Sequence, residues 1–252
     1  MVAADLFSRA SFIVTMVAAD LMAILMRGNR CHARGVRTIA PAPSQSPSPM
    51  TTSGELRTEF GEIDIYLFDQ LLRGRFDRRR SVLDAGCGGG RNLPYFLRHG
   101  FDVRAIDADA SAIRSVRELA SSLNPALPLE QIQQGSLTAL PWPDASTDAV
   151  ICSAVLHFAR DDQDFAAIVE ELWRVLAPGG LFFARLATSI GLERSVASRT
   201  GRVRLPDGSE RYIVDEPTLL SWTTKLGGTL ADPIKTTNVQ NMRCMTTWVM
   251  EK

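Results

Sequence analysis

The chain has 252 residues, 45% hydrophobic and 22% charged, which is ample apolar material for one catalytic domain with its own core. Its 28 basic and 28 acidic residues cancel, so no whole-molecule field draws nucleic acid or an anionic membrane surface. Four cysteines without a C-x-x-C pair (Cys31, Cys87, Cys152, Cys244) and three histidines without ligand spacing argue against a structural metal, and point to small buried thiols in a reducing, cytoplasmic setting.

Residues 1–49 read as a disordered or presequence-like extension. Ala10 to Met26 is largely apolar, but Asp20 interrupts it at a cost of roughly 2.5 to 3.5 kcal/mol on insertion scales, so stable membrane insertion is not expected. MVAADL occurs at Met1 and again at Met16, too few copies for a solenoid. An export signal cleaved near Ala40 or Ala42 is an alternative, although the basic start such signals carry is weak here. APAPSQSPSP has linker composition, and Met50 is the expected start of the functional domain, 50–252.

From Leu56 to Leu72, apolar residues at Phe60, Ile63, Leu67, Phe68, Leu71 and Leu72 keep close to helical spacing. This predicts a helical lid over 55–75, with Phe60 or Tyr66 either facing a ligand or packing in the core. The basic run Arg73 to Arg80 reads as a solvated linker before the first strand rather than a phosphate-binding patch. Ser81 to Asn92, SVLDAGCGGGRN, then joins an apolar strand, an acid and a glycine-dense turn where a helix can begin. Gly86, Gly88, Gly89 and Gly90 permit positive φ and remove the Cβ atoms that would hold a ligand off the backbone. About 20 residues later FDVRAIDADA offers a second strand ending at Asp107, placed to accept both hydroxyls of a ribose. Asp84 at the first strand's end disfavours a pyrophosphate and favours a cationic ligand.

Strands at Val82 to Ala85, Val103 to Ile106, Leu129 to Gln133, Ala149 to Ser153 and Leu181 to Leu186 alternate with helices. The helices begin after Arg91, with Pro94 in the first turn, and span Ala110 to Leu123 and Phe165 to Leu176, the last ended by Pro178-Gly179-Gly180. Such alternation predicts a parallel sheet flanked by helices. Pro206-Asp207-Gly208 signals a hairpin, and 187–214 is the expected substrate-side insertion above the sheet's carboxyl edge. A helix at Pro217 to Leu226 and closing strands at Ala231 to Thr236 and Cys244 to Met250 complete the domain. His157, just past the fourth strand, is the candidate general base, unless it only caps or packs there.

The D-A-G-C-G-G-G loop, GSLTALPWPDASTDAVICSAVLHF and LWRVLAPGGLFFARL together resemble the class I S-adenosylmethionine-dependent methyltransferases of the small-molecule branch, over roughly Leu56 to Leu186. GGGRNLPYFLRHGFDV is also similar, over a short stretch, to tellurite-resistance methyltransferases. The resemblance implies a doubly wound, mostly parallel seven-stranded Rossmann-like sheet with an antiparallel final strand, and S-adenosyl-L-methionine as cofactor. It implies a methyl transfer to a small-molecule acceptor and no nucleic-acid partner, since neither an N-P-P-aromatic sequence nor a paired catalytic cysteine motif is present. It also implies that Gly86 and Gly88 underlie methionine and ribose, Asp107 holds the ribose hydroxyls, and Ser136 with the Leu137 N–H meets adenine. Ser136 stands where many relatives carry an acid. Asp84, Cys87, Ala108 and Ser153 complete the expected cofactor site, with Arg91 either on the cofactor's carboxylate or on the helix surface. The rival readings are a nicotinamide-dependent oxidoreductase, disfavoured by Asp84 and the G-C-G-G-G form, and a cofactor-binding regulatory module without turnover.

Overall fold

The computed structural model describes residues 52–192 and 200–252. The expected extension 1–49 with Cys31, and residues 193–199 of the expected insertion, lie outside the described residues.

Two short helices stand where the apolar spacing predicts one. Helix α1 (Ser53–Phe60) opens on a capping box in which Thr52 Oγ1 accepts the Glu55 N–H at 3.2 Å, and it closes at Gly61 with φ +63°. Helix α2 (Ile65–Leu72) restarts at Asp64, whose Oδ1 accepts the Tyr66 N–H at 3.0 Å. A stop signal and a start signal therefore lie inside a continuous apolar period. The Arg73 to Arg80 run is not a solvated linker. Phe76 is buried within it, Arg75 Nη2 donates to Ala231 O at 2.6 Å and to Asp232 Oδ1 at 2.8 Å, and Arg79 Nη2 donates to Gly179 O at 2.9 Å. The guanidinium groups satisfy backbone carbonyls and an otherwise buried acid, which the charge run alone did not reveal.

Strands β1 (Ser81–Ala85), β2 (Asp102–Asp107), β3 (Ile132–Gln134), β4 (Thr147–Ser153) and β5 (Leu176–Thr188) lie parallel in the order β3-β2-β1-β4-β5. A hairpin of β6 (Gly201–Arg204) and β7 (Glu210–Ile213) turns at the expected Pro206-Asp207-Gly208, with Gly208 at φ +83°. Strand β10 (Arg243–Glu251) is antiparallel to β5, and β8 (Thr229–Leu230) and β9 (Lys235–Val239) both pair antiparallel with β10. The sheet thus has eight described strands rather than seven: in place of the expected strand at Ala231 to Thr236, β8 ends before it and β9 starts at Lys235, with Pro233, which cannot donate to a ladder, in the gap between them. Pro178-Gly179-Gly180 does not separate helix from strand. It forms an irregularity inside β5, where the register with β4 shifts from Thr147↔Leu176 to Ala149↔Leu181.

Helices α3 (Pro94–Arg98) and α4 (Ala110–Leu123) cover one face of the sheet, and α5 (Asp162–Val175) and α6 (Glu216–Lys225) the other. Alternate residues of each strand divide between the two. Val82, Val103, Ile151 and Phe183 pack with Phe96, Ile113 and Val116, whereas Leu83, Val150, Phe182 and Ala184 pack with Phe165, Val169 and Leu219. Burial on both faces explains why these strands read as nearly unbroken apolar runs. No described helix is long and apolar enough to cross a membrane. Because β2 and β4 flank β1 on opposite sides, the chain reverses direction there and opens a crevice at the carboxyl ends of β1 and β4.

Candidate functional site

The glycine loop leaves β1 at that crevice. Gly86 and Cys87 donate their N–H groups to Ile106 O at 2.8 and 3.1 Å, which ties the loop to β2. Gly86 sits at φ +74°, and a Cβ there would come within 2.5 Å of Val155 Cγ2, so the loop passes beneath the β4 exit only without a side chain. Gly88, at φ +50°, has nothing within 4 Å of the position a Cβ would take. Its N–H donates to Asp107 Oδ2 at 2.9 Å, and the Asp109 N–H donates to Asp107 Oδ1 at 2.9 Å. A carboxylate offers about four lone-pair positions, so Asp107 retains capacity for two more donors. A cleft of about 940 Å³ is lined by Gly86, Gly88, Asp107, Ala108, Ser136 and Leu137, among others. The structure therefore gathers these sequence-predicted positions in one place.

Ser136 is locally engaged there, its Oγ lying 2.8 Å from Thr138 Oγ1 and accepting the Thr138 N–H at 3.2 Å. The same cleft holds a carboxylate that sequence reasoning missed, Asp164 in the first turn of α5, paired with Arg160 at 2.8 Å. Its only sequence signal is an acid near a helix start, which also reads as a cap.

Asp84 and Cys87 lie beneath the loop rather than in the cleft lining. Asp84 is fully buried, and neither side-chain oxygen meets a donor in hydrogen-bonding geometry. Burial pushes its pKa up to about 7, helped by Asp107 and opposed by Arg91 and the nearby Asn92 amide. A cation resting on the loop would favour its ionised form. Burial, with the charges of Asp84 and Asp107, raises the Cys87 thiol, which stays protonated and unreactive.

A second cavity, of about 340 Å³, is lined by Arg91, His157, Arg185, Arg211, Arg243 and Asp207 among others, and shares Ala154 with the first. Ala154 is held at φ +65° by its N–H, which donates to Arg185 O at 2.7 Å. A non-glycine residue in that region is sterically disfavoured and marks a position fixed by its surroundings. Arg91 and Ser153 meet around Asp64, a residue absent from any sequence motif. Asp64 Oδ2 accepts from Ser153 Oγ at 3.0 Å, from Arg185 Nη1 at 2.9 Å and from Arg91 Nη2 at 3.4 Å, while Arg91 Nη2 also donates to Ser153 Oγ at 2.9 Å. The Asp64 N–H in turn donates to Asn92 Oδ1 at 3.0 Å. The expected lid residues point elsewhere than the large cleft. Phe60 stacks on Tyr95 at 5.4 Å, while Tyr66 lies under the Arg185 guanidinium and hydrogen-bonds Thr237.

His157 is buried in the wall of the second cavity. Its Nδ1 accepts the Ala187 N–H at 3.3 Å, which leaves the neutral ring's proton on Nε2. Burial, then Arg211, Arg243 and Arg185, push its pKa down to about 4. In this tautomer the ring donates rather than accepts at Nε2.

A methyltransferase-domain family model matches residues 83–184. The chain is 33% identical, over 155 residues, to a probable S-adenosylmethionine-dependent methyltransferase of Mycobacterium tuberculosis, the match covering 60% of this chain and 53% of the relative. It thus spans about half the length of the curated relatives it matches. Among solved structures it is similar in fold to an S-adenosylmethionine-dependent methyltransferase of Methanosarcina mazei, with a TM-score of 0.56, 20% identity and coverage of 72% of this chain and 96% of the other. It is likewise similar to the 1,6-didemethyltoxoflavin N1-methyltransferase of Burkholderia thailandensis, solved with 1,6-didemethyltoxoflavin and S-adenosylhomocysteine, with a TM-score of 0.57, 19% identity and coverage of 79% and 81%.

Proposed function

Because the chain belongs to the class I S-adenosylmethionine-dependent methyltransferase family, whose cofactor is S-adenosylmethionine, we propose that it methylates a small-molecule acceptor. The observation that carries this reading is the meeting of two cavities at Ala154 on the carboxyl edge of the sheet. One has the glycine loop and ribose-accepting acid of a cofactor site; the other is of acceptor size. When bound, S-adenosylmethionine supplies a sulfonium methyl group that a nucleophile displaces in line.

The chain's own residues then mainly hold and orient. Asp107 would hold the ribose hydroxyls, Gly86 and Gly88 would let the backbone approach the cofactor, and the buried carboxyl of Asp84 would complement its positive charge. Leu137 and Ser136 line the end of the cleft expected to take adenine, with the Asp164 carboxylate nearby as a further acceptor. Arg91, anchored by Asp64 and Ser153, would frame the boundary between the cavities. His157 would orient the acceptor as an Nε2–H donor, since an acceptor arriving deprotonated needs no base.

The reading is tested by incubating the protein with S-adenosylmethionine and a metabolite pool while following products for the gain of one methyl mass. S-adenosylhomocysteine is expected to bind and a nicotinamide dinucleotide is not. The reverse binding result would overturn the reading.

A further inference from the structure

We propose that the acceptor is an anion whose carboxylate or phosphate group is gripped in the second cavity by Arg185, Arg211 and Arg243, with His157 Nε2–H as an added donor. This deepens the methyltransferase reading and rests on it. The three arginines come from β5, β7 and β10, and His157 from the turn after β4, so four separate parts of the chain converge on one small space.

Cationic character there is in excess of what the protein neutralises. Asp207 is the acid in the lining, and its Oδ1 is already taken up by Ser209, through the N–H at 2.9 Å and the hydroxyl at 2.5 Å. Arg185 spends Nη1 on Asp64 at 2.9 Å, while its buried Nε meets no acceptor among the described residues. Arg211 donates Nη1 to Glu210 O at 2.7 Å and rests its guanidinium 4.9 Å from the Phe158 ring centre, with no carboxylate in ion-pair range among the described residues. Arg243 is exposed, and it acts with Arg211 on the Asp207 carboxylate through charge, without an ion pair of hydrogen-bonding length, so one acid faces the three guanidinium groups. Burial first, and then the charges of Arg211, Arg243 and Arg185, keep His157 neutral beside them.

A cationic ligand would be repelled here and a neutral one would leave the donors unmatched. Planar guanidinium forks match carboxylate and phosphate oxygens alike. Ala154, common to both cavities, puts a bound anion next to the cofactor cleft, and a volume of about 340 Å³ suits a small molecule. Arg211 belongs to the β6-β7 hairpin, so the insertion contributes directly to acceptor choice.

The test titrates the full chain, with and without saturating S-adenosylhomocysteine, with benzoate, butyrate and phenyl phosphate, each against its neutral counterpart benzamide, butyramide or phenol. The anions are expected to bind at least about tenfold more tightly than their counterparts, and the preferred member separates a carboxylate from a phosphate acceptor. In R211Q/R243Q, two substitutions at partly or fully exposed positions, anion affinity should fall about tenfold or more with S-adenosylhomocysteine affinity unchanged. Equal binding of anion and neutral counterpart, or no anion binding, overturns the proposal. So does a loss of S-adenosylhomocysteine affinity in the double variant, which would assign these arginines to the cofactor's own carboxylate. Failure of S-adenosylhomocysteine to bind the parent chain would instead remove the methyltransferase reading, and the cofactor-free titration would still decide whether the cavity selects anions.

Discussion

Asp107 Oδ2 accepts the Gly88 N–H at 2.9 Å, so the acid that ends β2 also fixes the glycine loop that ends β1. One carboxylate thereby shapes the floor of the cleft and keeps lone pairs for a ligand. Asp107→Ala is expected to weaken S-adenosylhomocysteine by about 1.5 to 3 kcal/mol, the range for a hydrogen bond to a charged group. Titration calorimetry measures this, and an unchanged affinity would mean that another residue holds the ribose.

Asp64 joins the start of α2 to the exits of β4 and β5 through Ser153 and Arg185, and its side chain is fully buried. Removing one partner leaves the others desolvated and unmatched. Asp64→Ala should therefore cost about 3 to 5 kcal/mol in unfolding free energy by denaturant titration. A loss below about 1 kcal/mol would show that water replaces the carboxylate at no penalty.

Asp84 carries a pH signature. Its folded pKa, raised to about 7, exceeds the ordinary carboxylate value near 4, so the native state holds a proton that the unfolded chain releases between those pH values. The stability it contributes is fully present below about pH 4 and is lost as pH rises towards 7. Relative to the parent, Asp84→Asn should gain stability over that window and show no further relative change above it, as read from unfolding free energies between pH 4 and 8. Because a cation on the loop favours the carboxylate, binding of S-adenosylmethionine, a sulfonium, near pH 6 should release protons, visible as a buffer-dependent heat, and the neutral thioether S-adenosylhomocysteine should release fewer.

His157 behaves with the opposite sign. Its folded pKa, lowered to about 4, lies below the ordinary histidine value near 6.5, so its contribution is present above about 6.5 and is lost as pH falls through 4. That loss is on the order of 3 kcal/mol. His157→Ala should flatten this acid limb, and with a known acceptor it should leave no missing inflection near neutral pH in the turnover profile. A drop in turnover of about 10² to 10⁴ with intact stability would instead make His157 the general base.

The sequence by itself determined what depends on near neighbours along the chain. The α4 span Ala110–Leu123, the turn at Gly208 and the glycine loop with Asp107 were legible because helix periodicity, positive φ and strand-loop-helix order are local properties. Boundaries failed where a local exception interrupted a regular pattern, as Gly61 and Pro233 did. Only the tertiary structure decided that Asp64 would meet Ser153 across 89 positions and Arg185 across 121, or that arginines of β5, β7 and β10 would line one cavity. Isolated charged residues carry no periodicity, and in the sequence they are indistinguishable from a solvated surface. Chain topology, by bringing the carboxyl ends of separate strands to one edge, turns them into a site.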